Sequence, residues 1–207
     1  TVYAKFVEAL RPDAPSAMKD IKVTDLPKVS LITSVYNAAE YIEQLMEDTT
    51  QQTMFKHCEW IILNANKPGA DFEEKVISKY TKTYPNIVYK RLETDPGVYA
   101  VWNEAIKMAT GEYITNVNCD DRRHPEGLQK QASFLYQDPT IDLVYNDSYI
   151  AREPNIRWES VNKNMQRYNF SDFSIEEMLR GNLPHNNPMW RKSVHDSNGY
   201  FDEKYNS

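Results

Sequence analysis

The chain has 207 residues, 41% hydrophobic and 26% charged, which suits one soluble α/β domain, alone or with a short appendage. Its 24 Lys and Arg against 30 Asp and Glu leave a net charge of −6, which disfavours non-specific nucleic-acid binding because phosphate neutralisation needs a basic face. Mean hydropathy is −0.70 and no apolar run reaches about eighteen residues, so a membrane-spanning helix is excluded.

Residues 2–10 have the pattern of a short helix, and 11–16 (RPDAPS) form a breaker-rich linker, so 1–28 read as a lead segment. From Val29 the pattern changes. Residues 29–35 (VSLITSV) are an apolar run of strand length, followed by an amphipathic helix with Ile42, Leu45, Met46 and Thr49 on one face. A second strand is predicted at 60–63, a helix at 71–83 and a third strand at 87–92. Val98, Trp102, Ala105, Ile106 and Ala109 give another helical stripe, with Gly111 as the residue that closes it. A fourth strand at 113–117 precedes a helix with Pro125 in its first turn, and a strand at 142–145 completes the series. Residues 151–168 lack periodicity and read as a loop over the site or an inserted excursion. Strands alternating with helices predict a mostly parallel central sheet flanked by helices.

In such sheets ligands meet the carboxyl ends of the strands. Asp120 and Asp121 stand there, directly after the fourth strand. Adjacent carboxylates repel unless a cation or donors offset them, and Mg²⁺ or Mn²⁺ shared with a diphosphate does so. A solvated pair, or Asp121 capping the next helix, is the plainer reading. Ser34, Tyr36 and Asn64 close the first two strands and offer a hydroxyl, a ring for stacking and an amide for a base edge. Asparagine also simply stops strands. No GxGxxG or P-loop is present, so metal and side chains would have to hold phosphate. The four His lack zinc-site spacing; His185, in a Pro- and Asn-rich loop, is the one placed to line a pocket. Cys58 and Cys119 are too few for a disulfide scaffold and read as reduced thiols of a cytoplasmic protein.

Residues 29–37 (VSLITSVYN), 51–53 (QQT) before 59–63 (EWIIL), 95–109 (DPGVYAVWNEAIKMA), 111–121 (GEYITNVNCDD) and 198–205 (NGYFDEKY) resemble, in order and spacing, the family 2 glycosyltransferases of GT-A fold. The resemblance covers 29–207. It implies inverting transfer of a sugar from a nucleotide diphosphate donor to the hydroxyl of a glycan or lipid-linked acceptor. By the same resemblance Ser34 and Tyr36 contact the nucleoside, and Asn103 helps to hold the donor. Asp121 carries Mg²⁺ or Mn²⁺, while Asp120 meets ribose or donor sugar, with exchange of the two roles left open. Asn64 and Asn118 replace acidic residues of the family pattern, leaving the base undetermined. The family's catalytic base follows the segment matched by 199–203, and is thus expected beyond Ser207. The chain therefore reads as a piece of a longer polypeptide with further domains, working in the cytoplasm or at the inner face of a membrane. Two alternatives stand beside this reading. A sugar-phosphate nucleotidyltransferase is disfavoured because 34–40 holds neither glycine nor a basic residue. A non-catalytic nucleotide-sugar-binding module is favoured by Asn64 and Asn118.

Overall fold

The computed structural model describes residues 2–5, 21–161, 164–168, 171, 173–181 and 187–205, the side chains of 2–5 apart. In chain order the strands are β1 (Val2–Lys5), β2 (Val29–Val35), β3 (Cys58–Asn64), β4 (Ile87–Arg91), β5 (Tyr113–Asn116), β6 (Leu143–Val144), β7 (Ser148–Ala151), β8 (Arg167–Tyr168) and β9 (Met189–Arg191). The α-helices are α1 (Ile42–Thr50), α2 (Phe72–Thr81), α3 (Val98–Met108), α4 (Gly127–Gln137), α5 (Ile175–Arg180) and α6 (Val194–Asn198).

Six strands form the central sheet in the order β4-β3-β2-β5-β9-β6. β4, β3, β2 and β5 are parallel, and β9 enters antiparallel between β5 and β6. The mostly parallel sheet flanked by helices is as the sequence predicts. The period-2 alternation of strands divides the core between its faces. Leu31, Val35, Trp60 and Ile62 pack on one side with Ile42, Leu45, Met46, Val76, Ile77, Leu128 and Leu135 from α1, α2 and α4. Ile32, Ile61, Leu63 and Ile114 pack on the other with Val101, Ala105 and Ile106 of α3 and with Trp190.

Four local expectations are corrected. The predicted helix over 2–10 begins instead as β1, which pairs with β7 in a second, three-stranded antiparallel sheet with β8. A helix this short is marginal alone, whereas an open strand edge offers a backbone partner for each second residue. The linker at 11–16 lies outside the described residues. The strand predicted over 142–145 shrinks to β6, Leu143–Val144, and it joins the sheet through β9, which returns from the excursion and occupies the edge beside β5. Pro125 precedes α4 rather than sitting in its first turn. Gly111 is not a left-handed helix stop; a Cβ there would come within 2.7 Å of Lys28 O and of Ser30 N and Oγ. It is glycine because two backbones meet.

That contact belongs to the amino-terminal edge of the sheet. The Glu59 carboxylate accepts there from Ser30 Oγ (2.5 Å), Thr110 N (2.5 Å) and Oγ1 (2.9 Å), Gly111 N (3.1 Å) and Lys28 Nζ (3.1 Å). Burial alone would raise its pKa, but these donors outweigh burial and hold it down at about 2.

Candidate donor site at the carboxyl edge of the sheet

The opposite edge gathers the loops after β2, β3 and β5, and hydrogen bonds stitch them together. Thr33 Oγ1 donates to Val117 O (2.8 Å), the Cys119 thiol approaches Ser34 O (3.5 Å), and Asn37 N donates to Asn66 Oδ1 (2.7 Å). Ser34, half-buried, is the penultimate residue of β2, and Tyr36, 45% exposed, opens the loop that follows, so 34–36 form the junction of strand and loop. Asn37 adopts φ 49°, a left-handed conformation that asparagine tolerates well.

Asn64 is fully buried at the end of β3. Its Nδ2 donates to Tyr89 Oη (3.1 Å) and its Oδ1 accepts from Asn66 N (2.9 Å), so both ends of the amide serve the fold. Asn66, two residues on at the same strand end, has no role assigned to it from the sequence. Asn66 is 2% exposed, its oxygen is taken by Asn37, and its Nδ2 has no hydrogen-bond partner among the described residues. The signal was present in the Asn-Ala-Asn spacing, since an asparagine commonly caps its own backbone two residues on.

The two adjacent aspartates diverge. Asp121 is 8% exposed; its Oδ2 accepts from Asn118 Nδ2 (2.8 Å), and Asn118 Oδ1 accepts from Asn116 Nδ2 (3.2 Å). Asp121 also borders a cavity of about 20 Å³, with Asp48, Gln52, Arg122 and Arg123 in its wall. Burial lowers the Arg123 pKa to about 10, with Asp121 opposing the shift, so Arg123 stays cationic at neutral pH beside that carboxylate. Asp120 is half-buried. It is the more accessible of the pair.

Arg122 holds this turn. Its side chain is 2% exposed; Nη1 donates to Cys119 O (2.8 Å) and Asp121 O (2.9 Å), Nη2 donates to Tyr41 O (3.3 Å) and to Asn155 Oδ1, and Nε lies 3.3 Å from Asp48 Oδ2. Cys119, within the turn, has its thiol pKa pushed up to about 12 by burial and by Asp120, so it is no nucleophile at neutral pH.

Asn103 lies on α3. It is 2% exposed and closes a three-bond clamp: Nδ2 donates to Phe201 O (2.8 Å) and Glu203 Oε1 (2.9 Å), while Oδ1 accepts from Phe201 N (3.0 Å). The clamp presses residues 201–203 onto α3. Beside it opens a cleft of about 700 Å³ lined by Tyr99, Trp102, Trp190, Phe201, Asp142 and Asn116, among others. Asn116 is 5% exposed, and its Oδ1 has no partner among the described residues. His185 lies outside the described residues.

A mostly parallel sheet with its loops and two adjacent carboxylates gathered at the carboxyl edge is the arrangement in which open α/β folds bind their ligands. Comparison with known proteins agrees. Residues 30–197 match the profile described as Glycosyl transferase family 2, and the chain belongs to that family. An uncharacterized glycosyltransferase of Methanocaldococcus jannaschii is 31% identical over 130 residues, 62% of this chain and 44% of that protein. The structure of S. aureus TarS 1-349 in complex with UDP superposes with a TM-score of 0.65 at 21% identity, covering 87% of this chain and 52% of that one. A mannosyltransferase from Pyrobaculum calidifontis in complex with GDP-Man and Mn²⁺ gives 0.62 at 17% identity, covering 89% and 50%. These likenesses confirm the GT-A arrangement. The chain spans about half the length of the relatives first matched. Among the described residues no helix is long and apolar enough to cross a membrane.

Proposed function

We propose that this chain is the donor-binding domain of an inverting glycosyltransferase that moves a sugar from a nucleotide diphosphate to a glycan or lipid-linked acceptor. The observation that carries the reading is the pair of faces at one sheet edge: the Ser34–Tyr36 loop and the Asp120 turn, tied together through Thr33, Val117 and Cys119. Tyr36 offers an exposed ring to a base. Asn66 Nδ2 is a buried donor in need of an acceptor, so we assign the base edge to Asn66 and give Asn64 the task of holding it.

Among the described residues no three His, Cys, Asp or Glu side chains gather into a self-sufficient metal site. A hard cation shared with a diphosphate needs only one or two protein carboxylates, and Mg²⁺ or Mn²⁺ fits this donor set on that condition. Asp120, the accessible carboxylate, would hold it; Asp121 is committed to Asn118 and fixes the turn. When bound, the cation stabilises the charge that develops on the leaving diphosphate. Asn103 supports the site from α3 through residues 201–203 rather than touching the donor. The cleft beside it offers aromatic faces and the Asn116 oxygen to an acceptor sugar. The two free cysteines suit a cytoplasmic setting, in solution or at the inner face of a membrane.

Isothermal titration of UDP and GDP, each with and without Mn²⁺, tests the reading. Tighter binding of one nucleotide in Mn²⁺ supports it. Affinity indifferent to metal overturns the cation's role, and no binding of either nucleotide overturns the donor site.

A further inference from the structure

Arg122 joins three segments that sequence places far apart. Through Cys119 O and Asp121 O it holds the carboxylate turn; through Tyr41 O and Asp48 it holds the start and body of α1, which follows the Ser34–Tyr36 loop; through Asn155 it reaches the excursion after β7. Asn155 Nδ2 in turn donates to Glu40 O (2.8 Å), and Asn155 sits at φ 57°, a conformation that places its amide between the two loops. Neighbouring contacts repeat the attachment: Arg157 Nη2 pairs with Glu47 Oε2 (2.8 Å), and the His124 and Trp158 rings meet edge-on with centroids 4.4 Å apart. The excursion is therefore fastened to the same two loops that form the donor site.

A guanidinium is suited to this task. Its planar fork can satisfy several carbonyls at fixed angles, whereas an ammonium is a point charge with no such geometry. A backbone turn whose two carbonyls are pinned by one rigid group cannot rotate without breaking both bonds.

We propose that Arg122 is a positioning residue that fixes the Cys119–Asp121 turn for binding of a metal–nucleoside diphosphate, and that Asn155 makes the excursion after β7 part of that device. The inference rests on the donor-site reading above. It assigns Arg122 no contact with substrate. Its consequence is graded: two of the Arg122 bonds hold carbonyls of the carboxylate turn itself, whereas its bonds on the other side reach Tyr41 and Asp48, beyond residues 34–36, so loosening it affects the carboxylate that meets the cation more than the base-binding segment.

The test is titration of the nucleotide that the wild-type chain binds, with and without Mn²⁺, on Arg122→Met, Arg122→Lys, Asn155→Gly and Asn155→Asp. Glycine keeps the left-handed backbone of residue 155 without strain and removes its amide; aspartate keeps the acceptor for Arg122. The expected result is that Arg122→Met and Arg122→Lys lose most of the Mn²⁺-dependent gain, about tenfold or more, while metal-free affinity changes less than about twofold. Asn155→Gly loses part of the gain, and Asn155→Asp retains it. Should the Arg122 variants fail to fold, the Asn155 pair decides, because that residue is half-buried at the surface end of the device. Asn155→Gly and any folded Arg122 variant keeping the full gain overturns the inference while leaving the donor-site reading intact. Equal losses of metal-free and metal-dependent affinity also overturn it, showing general structural damage. A wild-type chain without a Mn²⁺-dependent gain overturns the donor-site reading and this inference with it.

Discussion

Asn103 and Phe201, 98 positions apart, are joined by a reciprocal pair of hydrogen bonds in which the asparagine side chain imitates a strand partner for the phenylalanine backbone. A third bond, to Glu203, completes the use of the amide. Tyr99 and Trp102 pack their rings on Phe201, with centroids 5.7 Å away in each case. The segment after α6 is thus held to α3 by one amide and a cluster of rings.

Replacing Asn103 by alanine should therefore act on stability before binding. Loss of the clamp leaves the Phe201 amide and carbonyl to find water, a cost of about 2–3 kcal/mol. Urea unfolding should show this loss, and limited proteolysis should cut first within 199–205. Nucleotide affinity at a temperature where the variant is folded should stay within about twofold of wild type.

Asn64 and Asn66 separate fold from recognition. Asn64→Ala removes the Tyr89 contact and the cap on Asn66, and should lower the melting temperature along with nucleotide affinity. Asn66→Asp keeps the oxygen that Asn37 uses but removes the unpartnered donor. Burying a carboxylate in place of the amide should lower the melting temperature, and loss of the donor should weaken nucleotide binding about tenfold, the value of a hydrogen bond to a buried partner. Differential scanning fluorimetry and titration on the same samples read both quantities.

Glu59 makes acid stability predictable. Its folded pKa of about 2 lies below the ordinary value of 4.5, so its contribution is complete above about 4.5 and disappears as pH falls towards 2. The loss across that window is on the order of 2–3 kcal/mol. Glu59→Gln should be less stable than wild type at neutral pH, and the difference should shrink as the pH is lowered from 5 to 2. Chemical denaturation at stepped pH checks it.

The parts of the fold readable from sequence are those with a period to read. Ile42, Leu45, Met46 and Thr49 are buried together on α1, and the apolar runs of β2 and β3 lie inside the sheet, because burial on one stripe or on both faces writes a pattern into the residues. Strand β9 carries no such mark. It is three residues long, and its place beside β5 is set by the path of the excursion rather than by its own composition. The pairing of β1 with β7 is likewise a contact between distant short segments, which local propensity does not encode.

The site divides in the same way. That Asp120 and Asp121 stand at a strand's carboxyl end follows from element order. Which of them faces outward depends on Asn118 and Arg122, whose contacts arise only in three dimensions. Asn64 and Asn66 differ for the same reason: the first residue's amide is consumed by Tyr89 and by the second residue's backbone.

The most direct test of the account is the Mn²⁺-dependent gain in nucleotide diphosphate affinity, measured by titration on wild type, Asp120→Asn and Asp121→Asn. Asp120→Asn should melt like wild type, within about 1 kcal/mol, and lose the gain by about tenfold or more. Asp121→Asn should lose stability along with affinity, because its carboxylate lies among Asn118, Arg122 and Arg123. An Asp120→Asn variant that keeps the whole Mn²⁺-dependent gain would contradict the placing of the cation and diphosphate at this turn.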